Sequence, residues 1–175
     1  MNRRIVVLIF SVVFFNTNLY SQSYSVDTIQ YNGDPNKIIN FVLIGDGYQA
    51  NQLNAYLTDA VNLSNYLFSV SPFLEYKDYF NVFAINVPSI DSGANHPGTS
   101  PDASCPSVPF SSVNTCCNST FDYANIHRLL VPQNYSAINN ILINNFPLYD
   151  QTIILVNSPY YGGSGGSNAT TSLHS

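Results

Sequence analysis

Three histidines, His96, His127 and His174, are the residues of this sequence best suited to acid–base chemistry or metal binding. A helix that holds zinc through two histidines places them four positions apart, whereas these lie 31 and 47 positions apart. The spacing therefore predicts no local zinc site. We expect His127 to be packed or capped on a helix, and His96 to be a loop residue that is a candidate for ligand binding.

Three aspartates, Asp91, Asp102 and Asp122, are the carboxylates that could gather around a calcium ion. A calcium-binding loop places its ligands at every other position, and these residues lack that spacing. We therefore expect them to be solvated loop acids.

The segment LIGDGY falls where a strand is expected to meet a helix, which is the usual functional edge of an open α/β sheet. A dinucleotide-binding fingerprint needs a third glycine three positions after the second, and it is absent. An esterase of the GDS type needs a serine nucleophile where Gly47 stands. The favoured interpretation is a tight turn in which the aspartate accepts hydrogen bonds from backbone amides of the turn. We expect this structural turn to comprise Gly45, Asp46, Gly47 and Tyr48.

The segment YYGGSGGSN, residues 160–168, has the glycine content of a phosphate-binding loop. Such a loop ends in lysine followed by serine or threonine, and the sequence has no lysine after Lys77. Residues 160–168 are therefore predicted to form a flexible loop, or one that lets another backbone approach closely.

Cys105, Cys116 and Cys117 lie within one loop-like stretch. In an exported protein cysteines are expected to pair, and a bond from Cys105 to Cys116 or to Cys117 would order this loop. The adjacent pair is disfavoured because a trans peptide holds their Cα atoms about 3.8 Å apart, closer than disulfide geometry prefers. One thiol is left over, and a zinc cluster is disfavoured because no C-x-x-C pair is present.

The elements that must position these residues alternate between strand and helix. Near-continuous apolar runs predict buried, largely parallel strands at residues 38–44, 80–87 and 152–156. Helical periodicity over residues 51–70, stopped by Pro72, completes a β-α-β unit. The fold class is therefore predicted to be α/β, with a mostly parallel central sheet and flanking helices.

The second crossover is longer and less regular. Residues 89–120 are predicted to form a long structured loop. A short helix is expected after an Asp122 cap, and a second helix from Tyr135 to Phe146, ended by Pro147. Residues 169–174 are predicted to form a weak C-terminal strand at the edge of the sheet.

The N-terminus predicts export. Arg3 and Arg4 precede an apolar run at residues 5–15 and a cleavage-like site at residues 19–22, so residues 1–22 are predicted to be a signal peptide. The apolar run is shorter than the ~20 residues that a membrane-spanning helix needs, and no other segment approaches that length. Residues 23–175 suffice for one domain.

Charge excludes a nucleic-acid partner for the mature chain. Three basic residues remain after residue 22, against ten acidic ones, which gives a net charge of −7. Binding to phosphates needs clustered lysine and arginine.

Three longer stretches carry a distinctive combination of motifs: NFVLIGDGYQANQLNAYLTDA (40–60), SPFLEYKDYFNVFAINVPSIDSGANHPG (71–98) and YDQTIILVNSPYYGGSGG (149–166). In this order they resemble the start of the catalytic domain of the IgA peptidase family of zinc metallopeptidases, family sixty-four in the peptidase classification. The resemblance spans most of the chain after residue 22.

The resemblance implies a secreted zinc endopeptidase acting on protein or peptide substrates, with a zincin-like fold and an edge strand followed by a helix bearing H-E-x-x-H. H-E-x-x-H occurs nowhere in the 175 residues. The chain is therefore interpreted as an incomplete domain over residues 23–175, inactive alone, onto which no catalytic or metal-binding residue maps. By similarity an extended peptide would pair by strand addition along a substrate-facing edge that comprises Tyr161, Gly162, Gly163, Thr170, Thr171 and Ser172.

Two other hypotheses stay open at this level. A secreted, non-catalytic module could bind glycans or peptides through its 13 tyrosines and 11 phenylalanines. A GDS-type esterase is the other, and Gly47 at the nucleophile position weakens it.

Overall fold

The computed structural model describes residues 23–98 and 109–173. The predicted signal peptide at residues 1–22 lies outside the described residues, as do Asp102, Cys105 and His174. What was predicted for them stays a prediction.

One six-stranded mixed sheet organises the described residues, in the order β1-β3-β2-β4-β6-β5. The four central strands β3, β2, β4 and β6 are parallel, whereas the outermost strands β1 and β5 run antiparallel to their neighbours. The predicted α/β class with a mostly parallel sheet is confirmed. The strands are β1 (Val26–Gln30), β2 (Ile39–Asp46), β3 (Phe80–Ile85), β4 (Gln151–Val156), β5 (Gly163–Ser164) and β6 (Asn168–Ser172).

Within the described ranges, three α-helices accompany the sheet: α1 (Leu53–Leu67), α2 (Phe73–Tyr76) and α3 (Tyr135–Asn145). A 3-10 turn over Ala50–Gln52 leads into α1, so the α-helix is shorter at both ends than its predicted range of 51–70. At α3 the Asn134 side chain caps the helix by accepting a hydrogen bond from the Ala137 backbone N–H at 3.2 Å. None of the described helices is long and apolar enough to cross a membrane.

The core lies on both faces of the sheet because successive strand residues point to opposite sides. Val42 of β2 belongs to the same buried cluster as Ile138 of α3. Its neighbour Leu43 belongs to a second cluster with Tyr56 and Ala60 of α1. The near-continuous apolar runs of the central strands follow from this covering of both faces.

The predicted helix after Asp122 does not form. Only a 3-10 turn over Tyr123–Asn125 is present, and Asp122, Ala124 and Asn125 have φ values of 58°, 54° and 62°. An α-helix cannot propagate through left-handed backbone. The segment that was expected to be helical instead turns back on itself, and Val131 after it pairs with Thr120 before it.

Two strands were not predicted, and both are short. β1 has mixed composition, and its pairing with β3 identifies it. β5 comprises only two residues of the glycine-rich segment and lies beyond β6. The predicted C-terminal strand is therefore present at residues 168–172, and β5 covers part of its outer side.

Candidate functional site

The carboxyl ends of β2 and β4 form the crevice where an open α/β sheet usually binds ligands. The chain leaves β2 through α1 to reach β3 on one side, and it reaches β4 on the other side through α3. Neighbouring strands whose connections depart in opposite directions define a switch point, where the ends of the strands leave a crevice. Asn157, the residue after β4, crosses this crevice because its Nδ2 donates to the Gly47 carbonyl at 2.9 Å.

The end of β2 and the turn that follows it each depend on a glycine. A Cβ on Gly45 would lie 2.7 Å from the Tyr56 ring, and Gly47 has φ of 76° with the Gly93 carbonyl oxygen 2.0 Å from where its Cβ would be. The Gly47 N–H donates to Ser89 Oγ at 3.0 Å. A serine at position 47 would collide with the Gly93 backbone, which argues against the esterase hypothesis.

Asp46 is completely buried and joins β2 to a loop about 70 residues away in sequence. Its carboxylate accepts hydrogen bonds from Thr115 Oγ1 at 3.1 Å, from the Cys117 N–H at 2.8 Å and from the Ser119 N–H at 2.9 Å. The expectation that Asp46 would bond amides of its own turn was wrong. Its carboxylate instead bonds the loop of residues 115–119, which packs against the end of β2. Three donors satisfy the buried carboxylate without a cation.

Tyr48 completes the turn and attaches it to α1. Its ring is buried, and its hydroxyl donates to Asp59 Oδ2 at 3.0 Å. Burial, reinforced by Asp59, raises the pKa of the phenol far above its usual range. Tyr48 is therefore a hydrogen-bond donor at any physiological pH.

The two described cysteines differ in their surroundings. Cys117 is completely buried in the core, whereas Cys116 is part-exposed, and neither forms a disulfide with another described residue. The Cys116 side chain and burial together raise the pKa of the Cys117 thiol well above its usual range. Pairing with Cys105 stays a prediction.

The residues predicted to form a substrate-facing edge come together beside β6. The Ser172 N–H donates to the Gly162 carbonyl at 3.1 Å, and the Gly162 N–H donates to Ser172 Oγ at 3.1 Å. The glycine-rich segment is also paired on the side away from β6, where the Gly163 N–H donates to the Arg128 carbonyl at 3.1 Å. Thr170 and Ser172 are buried, Thr171 is part-exposed, and the Tyr161 side chain is 56% exposed. Strand addition at Gly162 and Gly163 would have to displace backbone pairing that the chain already makes.

The turn next to this edge pairs His127 with Asp122. His127 is buried, and its Nδ1 lies 2.6 Å from Asp122 Oδ1. It is packed as expected, but in a turn rather than on a helix. Asp122 Oδ2 also accepts from the Gly98 N–H at 3.1 Å, so Asp122 is a buried acid and not the solvated one that was expected. Asp91 is also engaged, because it accepts from the Asn114 N–H at 2.8 Å.

His96 is the histidine that was predicted from the sequence to be a candidate for ligand binding. It is 3% exposed, and its ring stacks on Phe121 with centroids 4.1 Å apart. Burial lowers the pKa of His96 below its usual range, opposed by the Asp122 carboxylate and reinforced by His127. Its Nδ1 is buried without a hydrogen-bond partner among the described residues.

The side chains of the described residues do not fit a zinc ion. No three histidine, cysteine, aspartate or glutamate side chains of this part of the chain come together as a possible metal site. Zinc needs three or four such ligands. We therefore assign no described side chain to a bound metal.

A cavity of about 240 Å³ lies beside the crevice, and four of its residues, 157–160, follow β4 directly. Asn157, Ser158 and Pro159 were not singled out from the sequence, and Tyr160 was considered only as the start of the glycine-rich segment 160–168. Their position immediately after a central parallel strand is the signal that could have identified them.

Among curated proteins the sequence has no match. The profile of one protein family, described as IgA Peptidase M64, matches residues 28–175. The match contains all three stretches that carried the resemblance, and it confirms the predicted family. Since it covers most of the chain, including the strand ends that form the crevice, the chain belongs to the IgA Peptidase M64 family of peptidases.

Proposed function

We propose that this protein is the sheet-bearing part of an exported zinc endopeptidase. The observation that carries the proposal is the family match over residues 28–175, because the family is one of peptidases. A peptide chain would bind in the crevice between β2 and β4 and along the substrate-facing edge that includes Tyr161. The zinc ligands are proposed to come from residues outside these 175, since H-E-x-x-H is absent from them.

The α1 side of the sheet supports this proposal because it is unevenly covered. Ile153 of β4 and its register partner Ala169 of β6 are part-exposed, as are Thr171 and Leu173. On the α3 side, the alternate residues of the same two strands are all buried: Thr152, Ile154 and Val156 of β4, and Thr170 and Ser172 of β6. An additional amphipathic helix beside α1 would cover this stripe. We propose that the zinc-binding helix packs there.

Export is the second part of the proposal. It rests on Arg3, Arg4 and the apolar run at residues 5–15. Expression with the native N-terminus in a bacterial host should give a product outside the cytoplasm that begins near Ser23. A product that keeps Met1 would contradict it.

The peptidase proposal is tested by comparing the 175-residue chain with the complete product of its gene. Both are assayed for bound zinc by elemental analysis and for cleavage of a peptide library by mass spectrometry, with and without a chelator. The complete product should contain zinc and cleave peptides until the chelator is added, whereas the 175-residue chain should do neither. Stoichiometric zinc in the shorter chain, or a zinc-free and inactive complete product, would contradict the proposal.

A further inference from the structure

The cavity beside the crevice is lined partly by aromatic rings, and it lies at the switch point of the sheet. Its lining includes Ala94, His96, Phe110, Ser158 and Tyr160. Ser158 follows β4, and the Gly93 N–H, also at the lining, donates to the carbonyl of Gly47 after β2 at 3.1 Å. The cavity therefore lies at the carboxyl ends of the two strands between which such sheets bind ligands.

The wall of the cavity is held in place before anything binds. The His96 ring stacks on Phe121 at 4.1 Å and meets the Tyr160 ring edge-on at 5.1 Å. The His96 backbone exchanges two hydrogen bonds with Ser111, each of 2.9 Å. A wall fixed by these contacts loses little conformational freedom on binding.

One polar atom of this wall is left without a partner. The Nδ1 of His96 is buried and makes no hydrogen bond within the described part of the chain. An unpaired buried polar atom is destabilising. A peptide group carries both a donor and an acceptor, so the backbone of a peptide bound here can supply the missing partner.

The lining selects the kind of occupant. None of the lining residues is an aspartate, glutamate, lysine or arginine, so nothing balances a charged group. The aromatic rings of Phe110 and Tyr160 and the neighbouring prolines favour an apolar or aromatic group. A volume of about 240 Å³ is below that of typical drug-sized sites and suits a single side chain.

We propose that this cavity binds one uncharged aromatic or apolar side chain of the peptide substrate. The inference deepens the proposed function and rests on it for the identity of the ligand as a peptide. The cavity is then a specificity pocket, and Phe110 and Tyr160 are its selective walls.

The test uses N-acetyl-phenylalanine methylamide as the probe and N-acetyl-alanine methylamide as its matched control. Each is titrated into the isotope-labelled protein while backbone amide signals are followed by NMR. The phenylalanine probe should shift Gly93, Ala94, Ser158 and Tyr160, with a dissociation constant on the order of millimolar. The alanine probe should leave these signals unchanged at the same concentration.

Variants of the wall separate this pocket from general surface binding. Tyr160→Ala and Phe110→Ala alter exposed side chains and should each weaken binding of the phenylalanine probe about 5- to 10-fold. Tyr66→Ala, which removes an exposed tyrosine on α1, should leave binding unchanged. Equal shifts with both probes, shifts scattered over the surface, or full binding by both wall variants would overturn the proposal.

Failure of the pocket and failure of the proposed function give different results. If the probe binds at these residues but the complete gene product cleaves nothing, the peptidase proposal is contradicted and the pocket for aromatic groups is retained. Zinc-dependent cleavage without probe binding at these residues would leave the peptidase and remove the pocket.

Discussion

Gly47 and Gly93 are in direct backbone contact, and a Cβ atom on Gly47 would lie 2.0 Å from the Gly93 carbonyl oxygen. The Gly93 N–H donates to the Gly47 carbonyl at 3.1 Å, so the two residues join the turn after β2 to the long loop after β3. The contact therefore holds the loop after β3 against the β2 side of the crevice.

The first prediction concerns this contact. Gly47→Ala should lower the free energy of unfolding by about 3 kcal/mol or more, because the new Cβ meets backbone and the left-handed φ is strained. Urea denaturation measures the change. Gly165→Ala is the matched control, since a Cβ there meets nothing within 4 Å. Equal stability of the two variants would mean that the turn can move enough to accommodate a Cβ atom at position 47.

A second prediction concerns the buried carboxylate of Asp46. Asp46→Asn replaces an acceptor oxygen with a donor, which leaves at least one of the Cys117 and Ser119 amides unpaired and should destabilise the protein by about 2 kcal/mol. Hydrogen exchange at these two amides should become faster. Asp34→Asn, at an exposed site, should change neither measurement. Unchanged exchange in Asp46→Asn would contradict the assigned hydrogen bonds.

The adjacent cysteines should differ in reactivity. In a reduced Cys105→Ser background, Cys116 should react with a thiol reagent under native conditions, whereas Cys117 should react only after denaturant is added. The reasons are the burial of Cys117 and its raised thiol pKa, since the thiolate is the reactive form. Peptide mapping by mass spectrometry identifies the labelled residue. Faster labelling of Cys117 would mean that the loop opens readily.

Stability should depend on pH through His96. Its pKa in the folded protein lies below that of the unfolded chain, so the unfolded state binds the proton more readily between the two values. The contribution is fully present above the usual histidine pKa of about 6.5 and is lost as pH falls from there through the lowered folded value. His96→Phe, which keeps an aromatic ring on Phe121, should lose less stability between pH 7.5 and pH 5.5 than the parent protein. Parallel losses in urea denaturation would assign the pH dependence to other groups.

The sequence by itself determined the fold class, the three long central strands, the two long helices and the family. These features depend on local patterns: continuous apolar runs mark strands buried on both faces, and helical periodicity marks α1 and α3. Gly47 of the turn after β2 was also identified from sequence, because its freedom at φ is a property of the residue type.

Only the tertiary structure decided which residues meet across the chain. Asp46 bonds a loop about 70 positions away, His96 stacks on Phe121, and the turn at Asp122 replaces a helix that the apolar spacing had suggested. β1 is a strand because β3 offers it a partner, and the cavity exists because the loop after β3 returns beside the end of β4. Such contacts depend on how distant segments pack against one another, and local composition and periodicity do not encode them.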